Sequence, residues 1–126
     1  MGRFYHGDIN GKFWFAIQDS DDADFFGSKG EPPNTLEYYF DEDEHKESII
    51  SGIEFCVLQL GDFKEKIDAY FEEHNGYTSK ELEEHLKVSK ERLTELLVWY
   101  ARLQLGNEIL DCVNENGSCN FEAELY

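Results

Sequence analysis

The chain is short of basic residues and of long apolar runs, and each shortage excludes a class of protein. Its 11 Lys and Arg stand against 28 Asp and Glu, so the formal net charge is −17. A chain with that charge repels DNA and RNA and attracts cationic surfaces, so direct nucleic-acid binding is not expected. No apolar run reaches the roughly 20 residues of a transmembrane helix, and no apolar stretch follows Arg3 as it would in a secretory signal. These features predict a cytoplasmic protein without membrane contact.

Cysteine is also scarce. The chain has three cysteines, an odd number, and no Cys-x-x-Cys motif, so no disulfide framework is predicted. Cys56 falls in an apolar helical run and is expected to be a core thiol. Cys112 and Cys119 flank a turn and can face each other across two predicted strands, where cytoplasmic conditions would keep them reduced.

Aromatic residues, by contrast, are plentiful. They make up 15% of the 126 residues, and hydrophobic residues make up 40%. Because disordered acidic chains are poor in aromatics, the composition predicts a folded protein with one compact domain over 1–126. Within it, an acidic part at 1–76 and a second part at 77–126 can be distinguished as sub-units.

The residue pattern predicts an α+β fold that begins with an antiparallel β-hairpin. Arms at 3–6 and 11–18 flank Asn10-Gly11, which supplies the positive φ angles of a tight turn. An acidic loop follows at 19–34, with Gly and Pro as turn residues. Residues 35–40 then alternate in polarity as a strand does.

Two central helices are predicted after this strand. The first has Asp41 or Asp43 as its N-cap and ends at Gly61. The second ends at Asn75-Gly76. The apolar residues that recur at helical spacing are Ile49, Ile50, Ile53, Cys56, Val57 and Leu60 in the first helix, and Phe63, Ile67, Tyr70 and Phe71 in the second.

The last third of the chain predicts two capped helices and a β-hairpin. Thr-Ser-Lys-Glu at 78–81 has the spacing of a capping box, and Ser89 caps a fourth helix that Gly106 ends. The hairpin pairs 108–113 with 118–125 around a turn that contains Asn and Gly.

This part, 78–126, resembles the winged-helix group of helix-turn-helix domains. The resemblance lies in Thr78-x-x-Glu81-Leu82-x-x-His85-Leu86, in Val88-Ser89, in Leu93, Leu96 and Leu97, and in Gly106-x-x-Ile109 before the hairpin. It implies that the helix after Ser89 is the one that enters the DNA major groove and that the hairpin is the wing. The exposed face of that helix would carry Lys90, Glu91, Arg92 and Glu95. Three interpretations stay open: a packing solution, a scaffold for protein contact, and a DNA-binding transcriptional regulator that acts as a homodimer.

The sequence contains no nucleophile elbow, phosphate loop or dinucleotide-binding motif. Its four histidines, His6, His45, His74 and His85, lie far apart and lack the spacing of zinc ligands. We therefore expect no enzyme, no cofactor and no metal centre. The alternative is a cation-binding module in the loop Asp19–Asp24, whose carboxylates suit Ca²⁺ or Mg²⁺ although the loop does not fit an EF-hand register.

The acidic residues form clusters, and two of these clusters are predicted to contact a partner. The first comprises Asp19, Asp21, Asp22 and Asp24, and the second comprises Asp41, Glu42, Asp43 and Glu44. Phe25 and Phe26 would be apolar anchors if exposed; the alternative places one or both in the core.

In size and charge the chain is similar to phage-encoded anti-restriction and anti-CRISPR inhibitors that imitate nucleic acid. That likeness implies a non-catalytic protein whose partner has a basic groove, such as a nuclease, a CRISPR effector or a restriction enzyme.

Overall fold

The computed structural model describes residues 4–13, 18–30, 35–74 and 78–124, and within these ranges the fold is α+β, as predicted. The strands are β1 (Phe4–Gly7), β2 (Gly11–Lys12), β3 (Thr35–Asp41) and β4 (Ser118–Glu124), and the α-helices are α1 (Glu42–Leu60), α2 (Phe63–Glu73), α3 (Ser79–Leu86) and α4 (Lys90–Asn116). A 3₁₀ turn, Asp22–Phe26, lies inside the predicted acidic loop. None of the helices in the described ranges combines the length and apolar character that a membrane crossing requires.

The four strands form one antiparallel sheet in the order β2-β1-β4-β3. The last strand of the chain therefore lies at the centre of the sheet, between the first strand and the strand that precedes α1. Because side chains alternate along a strand, one face buries Tyr5, Tyr38, Phe40, Phe121 and Ala123 while the other faces solvent. The predicted N-terminal hairpin is confirmed for β1 and β2, and its residues 14–17 lie outside the described part of the chain.

Helices α1 and α4 pack against each other beneath the sheet, with the ring of Phe26 between them. A Cβ atom added to Gly52 of α1 would lie 2.7 Å from Phe26 Cδ1, and one added to Gly106 of α4 would lie 2.6 Å from Phe26 Cε1. Both distances are shorter than carbon–carbon contacts allow. The two glycines therefore make room for a fully buried phenylalanine.

The role of Gly106 corrects one prediction from the sequence. We expected this glycine to end the fourth helix, but α4 continues through it to Asn116 and ends at Gly117, whose φ is 82°. Gly106 is present because the core approaches the helix closely there.

The predictions of a C-terminal β-hairpin and of a wing are also wrong. Residues 108–113 belong to α4, and only Ser118–Glu124 forms a strand. The apolar residues Ile109 and Val113 are four apart and are both fully buried on one side of the helix. The turn at Asn114–Gly117 therefore joins a helix to a strand.

The predicted helix caps are confirmed. The Asp41 carboxylate accepts hydrogen bonds from the backbone N–H groups of Asp43 and Glu44, as an N-cap does. Thr78 and Ser89 cap α3 and α4 in the same way, and Gly61 ends α1. The expected stop at Asn75-Gly76 lies outside the described residues; α2 ends at Glu73.

Candidate acidic interface

The solvent side of the sheet carries carboxylates on adjacent strands. We name Glu37, Glu122 and Glu124 the acidic sheet face. Glu122 and Glu124 alternate outward along β4, and the strand register places Glu37 of β3 directly opposite Glu122. Cβ atoms of directly opposite residues in an antiparallel pair lie about 4.5–5.5 Å apart. Lys12 lies on β2, at the far edge of this side of the sheet.

Glu124, the third member of the acidic sheet face, has local hydrogen-bond partners. His6 Nε2 lies 2.7 Å from Glu124 Oε2, and the Phe4 backbone N–H donates to Glu124 Oε1 at 3.0 Å. These hydrogen bonds lower the pKa of the Glu124 carboxyl, and the hydrogen bond with His6 has the larger effect. Like charges directly opposite each other in a sheet are destabilising, so the pairing of Glu37 with Glu122 costs stability. On the other side of β4, His6 of β1 lies directly opposite Glu122.

A groove of about 720 Å³ lies across this face. Glu37, Glu122 and His6 line it from the sheet, His45 lines it from α1, and Lys29 lines it from the loop before β3. Tyr39, which exposes 48% of its surface, also lines it. A groove with carboxylates and an open tyrosine ring suits a cationic side chain, because guanidinium and ammonium groups pair with carboxylates and stack on aromatic faces.

The predicted cluster at the start of α1 adjoins the acidic sheet face, because β3 runs directly into the helix. Asp43 and Glu44 are exposed, Glu42 is half-buried, and Asp41 uses one carboxylate oxygen as the cap. Acids in the first turn are also stabilised by the helix dipole. These residues therefore have a structural role as well as an outward negative charge.

The predicted loop cluster divides into exposed and buried residues. Asp19 and Asp21 are exposed, whereas Asp22 is buried. Asp24 is exposed as a residue but accepts hydrogen bonds from the Tyr38 hydroxyl and, at 2.9 Å, from the Gly30 backbone N–H. Only Asp19 and Asp21 therefore present carboxylates free of these internal contacts.

The buried acid of this loop forms an ion pair. Arg102 Nε donates to Asp22 Oδ1 at 2.6 Å, and Gln18 Nε2 donates to Asp22 Oδ2 at 2.7 Å. Burial raises the pKa of the Asp22 carboxyl, and these two donors act against that rise. Asp22 thus fixes the loop to α4 and is not available to a partner.

The two predicted phenylalanine anchors also differ in position. Phe26 is fully buried, so it belongs to the core. Phe25 is half-buried in an aromatic cluster with Phe55 and Trp99, at ring-centroid distances of 5.9 and 5.8 Å. The Arg102 guanidinium lies 4.8 Å from the centroids of both Phe25 and Trp99. Phe25 is therefore only partly exposed at the surface.

A cation site in the predicted loop has no support from the geometry. Among the residues that the structure describes, no three of the loop's acids bring carboxylate oxygens close enough to share an ion. The group that meets this criterion is a different one, formed by Asp8, Cys112 and Cys119.

The helix-turn-helix segment keeps its capped turn, but its exposed side is of mixed charge. Lys90, Glu91, Arg92 and Glu95 are all exposed at the start of α4. Arg92 Nη1 lies 3.0 Å from Glu95 Oε2, so one of the two cations is paired with an acid on the same helix. This surface lacks the cationic strip that a helix in the major groove would present to phosphates.

Sequence reasoning missed the acidic sheet face. The alternation in Thr-Leu-Glu-Tyr-Tyr-Phe at 35–40 and in Asn-Phe-Glu-Ala-Glu at 120–124 places each strand's acids on one side. The missing information was that β3 and β4 are neighbours and that Glu37 is in register with Glu122. These strands are separated by four helices in the sequence, so no local signal gives their pairing.

Comparison of the chain with protein-family models, with curated proteins and with solved structures gives no match.

Proposed function

We propose that the protein is a non-catalytic interaction module that occupies the cationic, nucleic-acid-binding groove of a nucleic-acid-handling protein. The observation that carries this proposal is the direct opposition of Glu37 and Glu122 on the solvent side of the sheet. A like-charge pair that costs stability is explained if a partner's cation lies between the two carboxylates. Nuclease, CRISPR effector and restriction enzyme are the partner classes that fit, and the site of action is the host cytoplasm.

The proposed contact combines charge with exposed aromatic surface. Arginine or lysine side chains of the partner enter the groove between Glu37 and Glu122, and Tyr39 stacks on them. Phe4, which exposes 42% of its surface, extends the apolar part of the contact. Asp43 and Glu44 add negative charge where β3 joins α1. The contacts imitate the way in which phosphates and bases together fill such a groove.

Cys56 is not a candidate catalytic nucleophile. Burial raises the pKa of the Cys56 thiol to about 12. A reactive cysteine needs a lowered pKa and solvent access, and Cys56 is fully buried.

A displacement assay tests the proposal. Labelled duplex DNA is bound to purified proteins with cationic grooves, one from each of the three partner classes, and the chain is titrated in at low salt. We expect the chain to release DNA from at least one of them, with an apparent affinity that falls as salt is raised. In the double variant Glu37→Gln/Glu122→Gln, release should weaken at least tenfold.

The matched control distinguishes an effect of the acidic sheet face from an effect of the overall charge. Glu65→Gln/Glu72→Gln removes the same number of charges from exposed positions on α2 and should displace DNA as the wild type does. Equal weakening in both double variants would show that only net charge matters and would contradict the proposed interface. A gel shift of duplex DNA by the chain itself would instead favour the DNA-binding regulator.

A further inference from the structure

The end of α4, the start of β4 and the turn after β1 bring together two thiols and a carboxylate. The ligand atoms of Asp8, Cys112 and Cys119 all lie within 4.8 Å of one another. Cys119 is fully buried, Cys112 is nearly so, and Asp8 is exposed. Cys119 is 7 positions after Cys112, whereas Asp8 is 104 positions before it, so only the tertiary fold brings Asp8 to the two thiols.

We propose that Asp8, Cys112 and Cys119 form a zinc site with an open fourth position. Zinc prefers thiolate, imidazole and carboxylate ligands in tetrahedral geometry, and sites with three protein ligands leave the fourth position to water. Zn–S bonds of about 2.3 Å place two thiolate sulfurs about 3.8 Å apart. Ligand atoms already within 4.8 Å need to move by roughly 1 Å to reach that arrangement.

Hydrogen bonds from neighbouring residues hold Asp8 in place and reach the Cys112 sulfur. The Asn120 backbone N–H donates to Asp8 Oδ2 at 2.9 Å, and the Asp8 N–H donates to the Asn120 carbonyl at 2.8 Å. Asn116 Nδ2 lies 3.7 Å from Cys112 Sγ as a hydrogen-bond donor. Hydrogen bonds of this kind orient metal ligands.

A cation can reach the site from solvent through an acidic depression. A pocket of about 300 Å³ opens beside Asp8 and Cys112, and Glu108, Asp111 and Glu115 of α4 line it. These acids attract a divalent cation, and the two thiolates select a soft one, so zinc is favoured over Mg²⁺ and Ca²⁺. Each thiol loses its proton to solvent on binding. The site uses none of the three glutamates of the acidic sheet face.

Cobalt substitution tests the site in the full-length chain, kept reduced and free of oxygen so that no disulfide removes the two thiols. Titration with Co²⁺ should produce the near-ultraviolet band of thiolate-to-cobalt charge transfer, and Zn²⁺ should then remove it. Cys112→Ser and Cys119→Ser should each lose most of the band. Cys56→Ser removes the third buried cysteine, which lies on α1, and should keep it.

A second measurement keeps the test informative if a buried cysteine variant folds poorly. Asp8 is exposed, so Asp8→Asn should fold normally while it weakens Zn²⁺ binding at least tenfold in a chelator competition. Zn²⁺ should also raise the melting temperature of the wild type more than that of Asp8→Asn. The proposal is overturned if reduced wild type gives no charge-transfer band, or if Asp8→Asn and wild type bind Zn²⁺ equally.

Discussion

Glu37 of β3 and Glu122 of β4 lie directly opposite each other, with both side chains on the solvent side of the sheet. A sheet selected for stability alone would place a residue of opposite charge or an apolar residue at one of these positions. The pair should therefore lower the free energy of unfolding and strengthen binding to the proposed partner. These two effects can be measured separately.

Glu122→Gln should stabilise the folded protein. Removing one charge of the opposed pair relieves a repulsion of about 0.2–1 kcal/mol, so the free energy of unfolding in urea should rise by that amount. The gain should shrink as salt is added, because screening already weakens the repulsion in the wild type. Glu72→Gln, at an exposed position on α2, should change the free energy of unfolding by less than about 0.5 kcal/mol. A loss of stability in Glu122→Gln would contradict the repulsion.

Gly106→Ala should destabilise the protein although alanine is the better helix former. Alanine gains about 1 kcal/mol of helix propensity over glycine, but its Cβ would lie 2.6 Å from the Phe26 ring. Overpacking of a core costs about 1–3 kcal/mol, so a net loss is expected in chemical denaturation.

Alanine at Asn114, an exposed position of α4, provides the control. Asn114→Ala should be neutral or slightly stabilising. Phe26→Leu, which removes the ring edge, should reduce the additional cost of Gly106→Ala in a double-mutant cycle. Additive effects of the two substitutions would show that Gly106 and Phe26 do not interact.

Arg102→Met should be strongly destabilising, because it leaves the buried Asp22 carboxylate without its cation. Breaking a buried ion pair costs about 3–5 kcal/mol, whereas Arg92→Met breaks an exposed pair with Glu95 and should cost less than about 1 kcal/mol. A similar loss of stability in Arg102→Met and Arg92→Met would show that burial does not decide how much each ion pair contributes.

The Arg102→Met variant should also respond to pH in a defined direction. Burial raises the pKa of Asp22 in the folded chain, and loss of Arg102 should raise it further. A carboxyl whose folded pKa exceeds its unfolded pKa gains stability as pH falls. The deficit of the variant relative to wild type should therefore narrow from neutral pH toward pH 5, as measured by thermal denaturation at several pH values.

The contribution of Glu124 to stability should depend on pH in the opposite direction. Hydrogen bonds with His6 and the Phe4 N–H lower the pKa of its carboxyl in the folded protein. Its contribution to stability is therefore complete above the ordinary glutamate pKa and is lost as pH falls through the lowered value. NMR titration of the Glu124 side-chain carbon should place the midpoint below the ordinary value, and His6→Ala should move it upward. An unchanged midpoint in His6→Ala would show that the hydrogen bond with His6 does not cause the lowered pKa.

Local chemistry in the sequence determined the elements that depend on a few neighbouring residues. Asp41, Thr78 and Ser89 were predicted as caps and are caps, because a side-chain oxygen beside free backbone N–H groups acts within one turn. The α+β class also followed from alternation at 35–40 and helical spacing in the segments after it. Such signals act between residues a few positions apart.

The tertiary structure alone decided which distant residues meet. Gly106 reads locally as a helix end, yet it lies inside α4 because Phe26, eighty positions earlier, occupies the space beside it. Strand β4 lies between β1 and β3, so Glu122 meets Glu37 and Cys119 lies close to Asp8. Residue composition supplied the charge of the protein, but the place where carboxylates oppose each other depends on strand register, which long-range packing sets.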